Sequence, residues 1–142
     1  MKKINQTNFH YLICGKGPLK DYLKDLIVKL GLEKNITLLG YRNDIDEILE
    51  ISDIYIHPSY REGLPVSVME AMASGLPIIA SKVRGNVDLI DKNKGGYLIE
   101  PDDIRGFSNA INKLLYSNNK EKMGIYNRQK IKKYDINNVL KE

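Results

Sequence analysis

The chain has 142 residues, 42% hydrophobic and 28% charged, with one cysteine and no tryptophan. That length fits one domain with a real core, and a single cysteine excludes an internal disulfide. No apolar run approaches a membrane span and "MKKINQTNFHYLICG" lacks a signal-peptide core, so the sequence reads as cytoplasmic.

The net charge of +4 is unevenly spread. Residues 1–112 carry 14 Lys and Arg against 15 Asp and Glu, whereas 113–142 carry 8 against 3. The basic character belongs to the segment 118–142, "NNKEKMGIYNRQKIKKYDINNVLKE". A solvated helical face explains it most simply. The sharper reading is peripheral contact with an anionic membrane, at the inner face. Nucleic acid is not expected, because no binding motif accompanies the charge.

Along the chain, Tyr11–Cys14 is the first short apolar run and predicts a strand. Cys14 within it reads as packing, since no activating base is near. "CGKGP" follows; its Gly15, Lys16 and Gly17 suit a turn and match neither the dinucleotide fingerprint nor a P-loop. "PLKDYLKDLIVKLG" places Leu19, Leu23, Leu26, Ile27 and Leu30 on one helical stripe, opened by Pro18 and stopped by Gly31. Ile36–Leu39 is a second strand, then "GYRND" and a short helix in "NDIDEILEIS". Ile54–His57 is a third strand, and "LPVSVMEAMASG" a helix between Pro65 and Gly75. Strands at Pro77–Ala80 and Gly96–Ile99 precede a helix in "DDIRGFSNAINKLLYS", where Gly106 is a weak point. Two further helices are expected near 118–133 and 135–141. Continuous apolar strands alternating with helices predict an α/β fold, a doubly wound, mainly parallel five-stranded sheet with helices on both faces.

Ligands of such sheets bind beyond the carboxyl ends of the strands. The loop after the third strand, "HPSYREGLP", lies there. Gly63 permits close approach, and Pro65 leaves the following amides free to point at an anion. Val66, Glu70 and Ser74 recur every four residues, so Glu70 shares a face with the first helical turn, about 6 Å further along. A carboxylate there suits the two hydroxyls of a ribose, and Glu62 would reach the group beyond the phosphates. On the residues alone, a solvent-facing Glu70 and a loop-charge Glu62 remain equally open.

"PSYREGLPVSVMEAMASGLPIIAS" resembles the signature of retaining glycosyltransferases of family GT4, in the GT-B fold class: Glu, seven residues, Glu. "YLICGKGPLKDYL", "ITLLGYRNDIDEILEISDIYIHPS", "VRGNVDLI" and "GGYLIEPDD" resemble successive segments of that family's C-terminal, donor-binding domain, a Rossmann-like half. "VRGNVDLI" is most similar to members building bacterial capsule or exopolysaccharide. The resemblance implies hexosyl transfer from a UDP- or GDP-linked sugar to a glycan or lipid-linked acceptor. It implies that Glu70 holds the ribose and that Glu62, the catalytic-site carboxylate, contacts donor sugar and phosphate with the backbone of Gly63 and Leu64. Val66 would sit by the pyrophosphate, Gly40, Tyr41 and Arg42 by the base, with Gly15 and Lys16 also at the donor. No metal and no cofactor are implied.

Two parts of the family pattern are missing from the sequence: the N-terminal acceptor domain and the first strand–helix unit of the donor domain. Residues 1–142 therefore read as a single incomplete nucleotide-sugar-binding domain, truncated or one half of a split enzyme whose partner subunit supplies the rest. Alone it is expected to be inactive in transfer. The alternatives are a non-catalytic nucleotide-sugar-binding or partner-binding module, or half of a GT-B epimerase. With the central unit missing, the sheet is expected to close up, pairing residues 11–14 directly with 54–57.

Overall fold

A computed structural model describes residues 9–134, which fall into two compact units divided between Ile45 and Asp46. In the first, strand β1 (Tyr11–Cys14) leads through helix α1 (Lys20–Lys29) to strand β2 (Ile36–Gly40), which pairs with β1 in parallel from Tyr11 opposite Ile36. The register slips between Ile13 and Cys14, so that Cys14 faces Gly40. Helix α1 stops as its sequence predicts. Gly31 takes φ +66°, and the Gly31 and Leu32 amides donate back to the Val28 and Ile27 carbonyls, the double bond of a left-handed helix end. No residue of α1 is fully buried, and the strand residues are at most half-buried.

Helix α2 (Ile45–Glu50), all but its first residue in the second unit, buries Leu49. There follow β3 (Tyr55–His57), α3 (Val66–Ala73), β4 (Ile78–Ser81), α4 (Arg84–Leu89), β5 (Gly96–Ile99), α5 (Ile104–Leu115), α6 (Lys120–Ile131) and a 3-10 turn at Lys132–Tyr134. The strands form a parallel sheet in the order β3-β4-β5. Its central strand is wholly buried, as "PIIAS" leads one to expect of a strand covered on both faces. Ile79, Ala110, Leu114 and Met123 form one core cluster, with Ile56, Ile99 and Phe107 packed against it. Gly106, expected to weaken α5, sits in its first turn. Its amide donates to Asp103 Oδ1 at 2.8 Å, and a Cβ there would overlap that carboxylate.

The α/β class, the parallel strands and the element order agree with the sequence. Within the first unit β1 pairs with β2, and within the second β3 pairs with β4 and β4 with β5, all in parallel. Helix α4 is an addition: "RGNVDL" is too short for a 3.6-residue stripe to be recognised. The second C-terminal helix, expected at 135–141, lies outside the described residues.

Candidate functional site

In the second unit the chain leaves the carboxyl end of β3 at His57, turns through Pro58–Pro65 and enters α3. The turn brings Glu62 back onto the strand end. The imidazole Nε2 of His57 lies 2.7 Å from Glu62 Oε1, with side chains only 18% and 21% exposed. Ser59 and, less strongly, His57 hold the Glu62 carboxyl below the usual carboxylate range, against the opposing effect of burial. It is a carboxylate at neutral pH. Tyr55, two residues earlier on the same strand face, stacks beside His57 with centroids 6.0 Å apart. From the other side comes α4: a Cβ on buried Gly85 would overlap the Gly63 carbonyl oxygen and lie 3.1 Å from Glu62 Cβ. Asn86 ties α4 to the end of β4 by donating from Nδ2 to the Ser81 carbonyl at 2.9 Å.

Pro65 is the N-cap of α3 rather than its first helical residue, and no side chain caps the helix. The first turn is less open than the sequence implied. The amides of Val66 and Val68 already donate to the Leu64 and Pro65 carbonyls, both at 3.0 Å. Leu64 and Val66 stand exposed on the rim, and Glu70 is exposed one turn beyond Val66. Val68, Ala71 and Met72, on the opposite face, are fully buried. That division answers why a carboxylate appears in an apolar helix: Glu70 faces outward. The helix ends in the same double-bonded turn as α1, with Gly75 at φ +76°.

The other sequence candidates cluster within the first unit. Gly15 (φ +131°) and Gly40 (φ +67°) lie side by side, the Gly15 amide donating to the Gly40 carbonyl at 2.7 Å. Lys16 Nζ lies 4.9 Å from the ring centre of exposed Tyr41, and Arg42 forms a two-point ion pair with Asp44 at 2.6 and 2.8 Å. The structure thus joins both loops at the carboxyl ends of β1 and β2. Cys14 is exposed rather than packed, and partial burial pushes its thiol up despite Arg42, away from nucleophilic character. Among the described residues no group of three His, Cys, Asp or Glu is placed to hold a metal ion, and no helix is long and apolar enough to cross a membrane.

His57, Gly85 and Asn86 were not singled out in the sequence. A signal existed for His57, the last residue of a predicted strand and so at the binding end of the sheet. None existed for Gly85, whose partner lies more than twenty positions away.

Residues 1–131 match the profile of the family described as Glycosyl transferases group 1. Over 102 residues the chain is 42% identical to an Escherichia coli UDP-Gal:alpha-D-GlcNAc-diphosphoundecaprenol alpha-1,3-galactosyltransferase, covering 71% of this chain and 26% of that enzyme. It is 36% identical over 116 residues to a Staphylococcus aureus (strain COL) poly(ribitol-phosphate) alpha-N-acetylglucosaminyltransferase, covering 81% of this chain and 23% of that one. Among solved structures, a complex of S. aureus TarM with fondaparinux, alpha-GlcNAc-glycerol and UDP superposes with a TM-score of 0.87 at 32% identity, over 93% of this chain and 27% of TarM. The pneumococcal O-GlcNAc transferase GtfA in complex with UDP and GlcNAc gives 0.85 at 28% identity, over 93% and 28%. The chain therefore spans about a quarter of the length of these proteins.

Proposed function

This chain belongs to the glycosyl transferases group 1 family, and on that premise we propose that it binds the nucleotide-sugar donor of a retaining glycosyl transfer. One observation carries the reading: Glu62 and Glu70 stand on a single strand–loop–helix. The first is fixed at the strand end, and the second is exposed on the outward face of α3. An ionised carboxylate has about four acceptor positions, so Glu62 can bond His57 and still accept from sugar hydroxyls. Glu70 can accept from both hydroxyls of a ribose. Between them lies the positive end of α3, where Val66 and the backbone of Gly63 and Leu64 would meet the diphosphate.

UDP in the structures of TarM and GtfA favours a uridine nucleotide as the first donor to test. The names of the relatives favour a hexosyl donor and a glycan or lipid-linked acceptor in bacterial surface polysaccharide synthesis. The full transfer reaction is proposed for the protein in which this donor-binding portion works with acceptor-binding elements, and no cofactor is assigned to it. In the first unit Gly40, Tyr41 and Arg42, with Gly15 and Lys16, carry the separate proposal of contact with the nucleobase end. Calorimetric titration with UDP, GDP and their hexose conjugates tests the reading. Saturable binding of one nucleotide family is expected, and no binding of any would overturn it.

A further inference from the structure

We infer that His57 is a positioning residue that sets the Glu62 carboxylate for the donor sugar, with Gly85 as the backbone stop behind it. This rests on the donor-site reading and extends it to residues in neither half of the Glu-seven-Glu pattern.

Three features converge on Glu62. Its Oε1 receives the His57 imidazole at 2.7 Å. The His57 ring is itself held, being the terminal residue of β3 and flanked by Tyr55 at an interplanar angle of 18°. The Glu62–Gly63 backbone lies against Gly85, where no side chain fits without displacing the loop. A loop glutamate would ordinarily sample several rotamers, and fixing one costs side-chain entropy. Here that ordering precedes any ligand. An imidazole that donates from Nε2 occupies one carboxylate oxygen and leaves the other open to a ligand, with the group held in one orientation. Such preorganisation raises affinity for whatever the carboxylate contacts, without new contacts to the ligand.

The arrangement also divides the site. Glu70 is on the outward face of α3, and none of its bonds involves His57. Loss of the imidazole should therefore weaken recognition of the sugar more than recognition of the nucleotide. A merely structural histidine would weaken both alike.

Two measurements on the full chain decide the matter. The chain has two histidines, so the ring nitrogens of His57 and His10 are resolved by long-range 1H–15N spectroscopy. Glu62→Gln should shift the His57 nitrogens and leave those of His10, which bonds Thr37, in place. Unmoved His57 resonances would overturn the brace. In calorimetry with UDP and UDP-N-acetylglucosamine, His57→Phe should lose about five- to tenfold in affinity for the sugar conjugate, the cost of ordering a freed Glu62 side chain on binding, and lose less for UDP. His57→Gln, which keeps a donor on a flexible stem, should recover part of that loss. Equal losses for the two ligands, or no recovery with Gln, would overturn the positioning role. Absence of UDP binding by the unsubstituted chain strikes instead at the donor-site reading, and the nitrogen shifts then still decide the brace.

Discussion

Gly124 of α6 lies against the carbonyl of Gly75, the residue that ends α3, so closely that a Cβ at 124 would overlap that oxygen. Asn127, one turn on and fully buried, donates from Nδ2 to the Leu76 and Gly95 carbonyls at 2.8 and 2.7 Å. Together they seat the C-terminal helix on the end of α3, the helix that carries Glu70. On an exposed helix, Gly→Ala would stabilise by about 0.5–1 kcal/mol. Here overpacking against backbone should dominate, and Gly124→Ala should lower the unfolding free energy by about 1–3 kcal/mol. Urea unfolding checks it; a variant as stable as the parent would show that α6 is not seated this way.

A second prediction concerns acid. Asp91 accepts from the Tyr126 hydroxyl and from Lys130 Nζ at 3.0 Å, and these hold its carboxyl below the usual range. A carboxyl whose pKa is depressed in the folded state binds protons more tightly when unfolded. It contributes stability above its unfolded pKa of about 3.9, and this is lost as pH falls through the lower folded value. Asp91→Asn should therefore be less stable than the parent at pH 7, the gap narrowing below about pH 4 as that contribution titrates away. Parallel stability curves for parent and variant across that range would refute the linkage.

Much of the second unit was legible because its signals are local. Pro65 and Gly75 bracket α3, four apolar residues mark β4, and the Glu-seven-Glu spacing marks the candidate site. What stayed hidden depends on contacts made by folding. His57 and Glu62 are five positions apart, too close for a strand pair and out of step with a helix, so only the turn through Pro58–Gly63 reveals them as partners. Gly85 reads as ordinary turn chemistry until Gly63 is placed beside it. In the first unit the stripe Leu19, Leu23, Leu26, Ile27 and Leu30 located α1 correctly yet overstated its burial. Leu19 and Leu30 are 62% and 55% exposed, so an apolar stripe specified a helix without specifying a packed layer.

The basic C-terminal segment meets part of its charge internally. Lys130 pairs with Asp91, and Arg128 donates to the Ser74 carbonyl at 3.2 Å, while Lys122 and Lys133 stay exposed. The proposed membrane contact predicts binding to vesicles containing anionic lipid that fades as salt rises, since the screening length falls from about 10 Å at 0.1 M to about 3 Å at 1 M. Lys122→Glu with Lys133→Glu should reduce it further. Equal sedimentation with neutral vesicles would remove the electrostatic account.

The most direct test of the donor-site account is the effect of Glu70→Gln on UDP affinity. Glu70 is exposed, and its backbone carbonyl rather than its carboxylate accepts the bond from Ser74 Oγ, so the substitution should leave folding intact. The amide replaces one acceptor oxygen with a donor group, and the two ribose hydroxyls then lose a charged acceptor worth about 1.5–3 kcal/mol. UDP should bind the parent chain, and bind Glu70→Gln at least about tenfold more weakly at unchanged thermal stability. UDP affinity identical in the two proteins would contradict it.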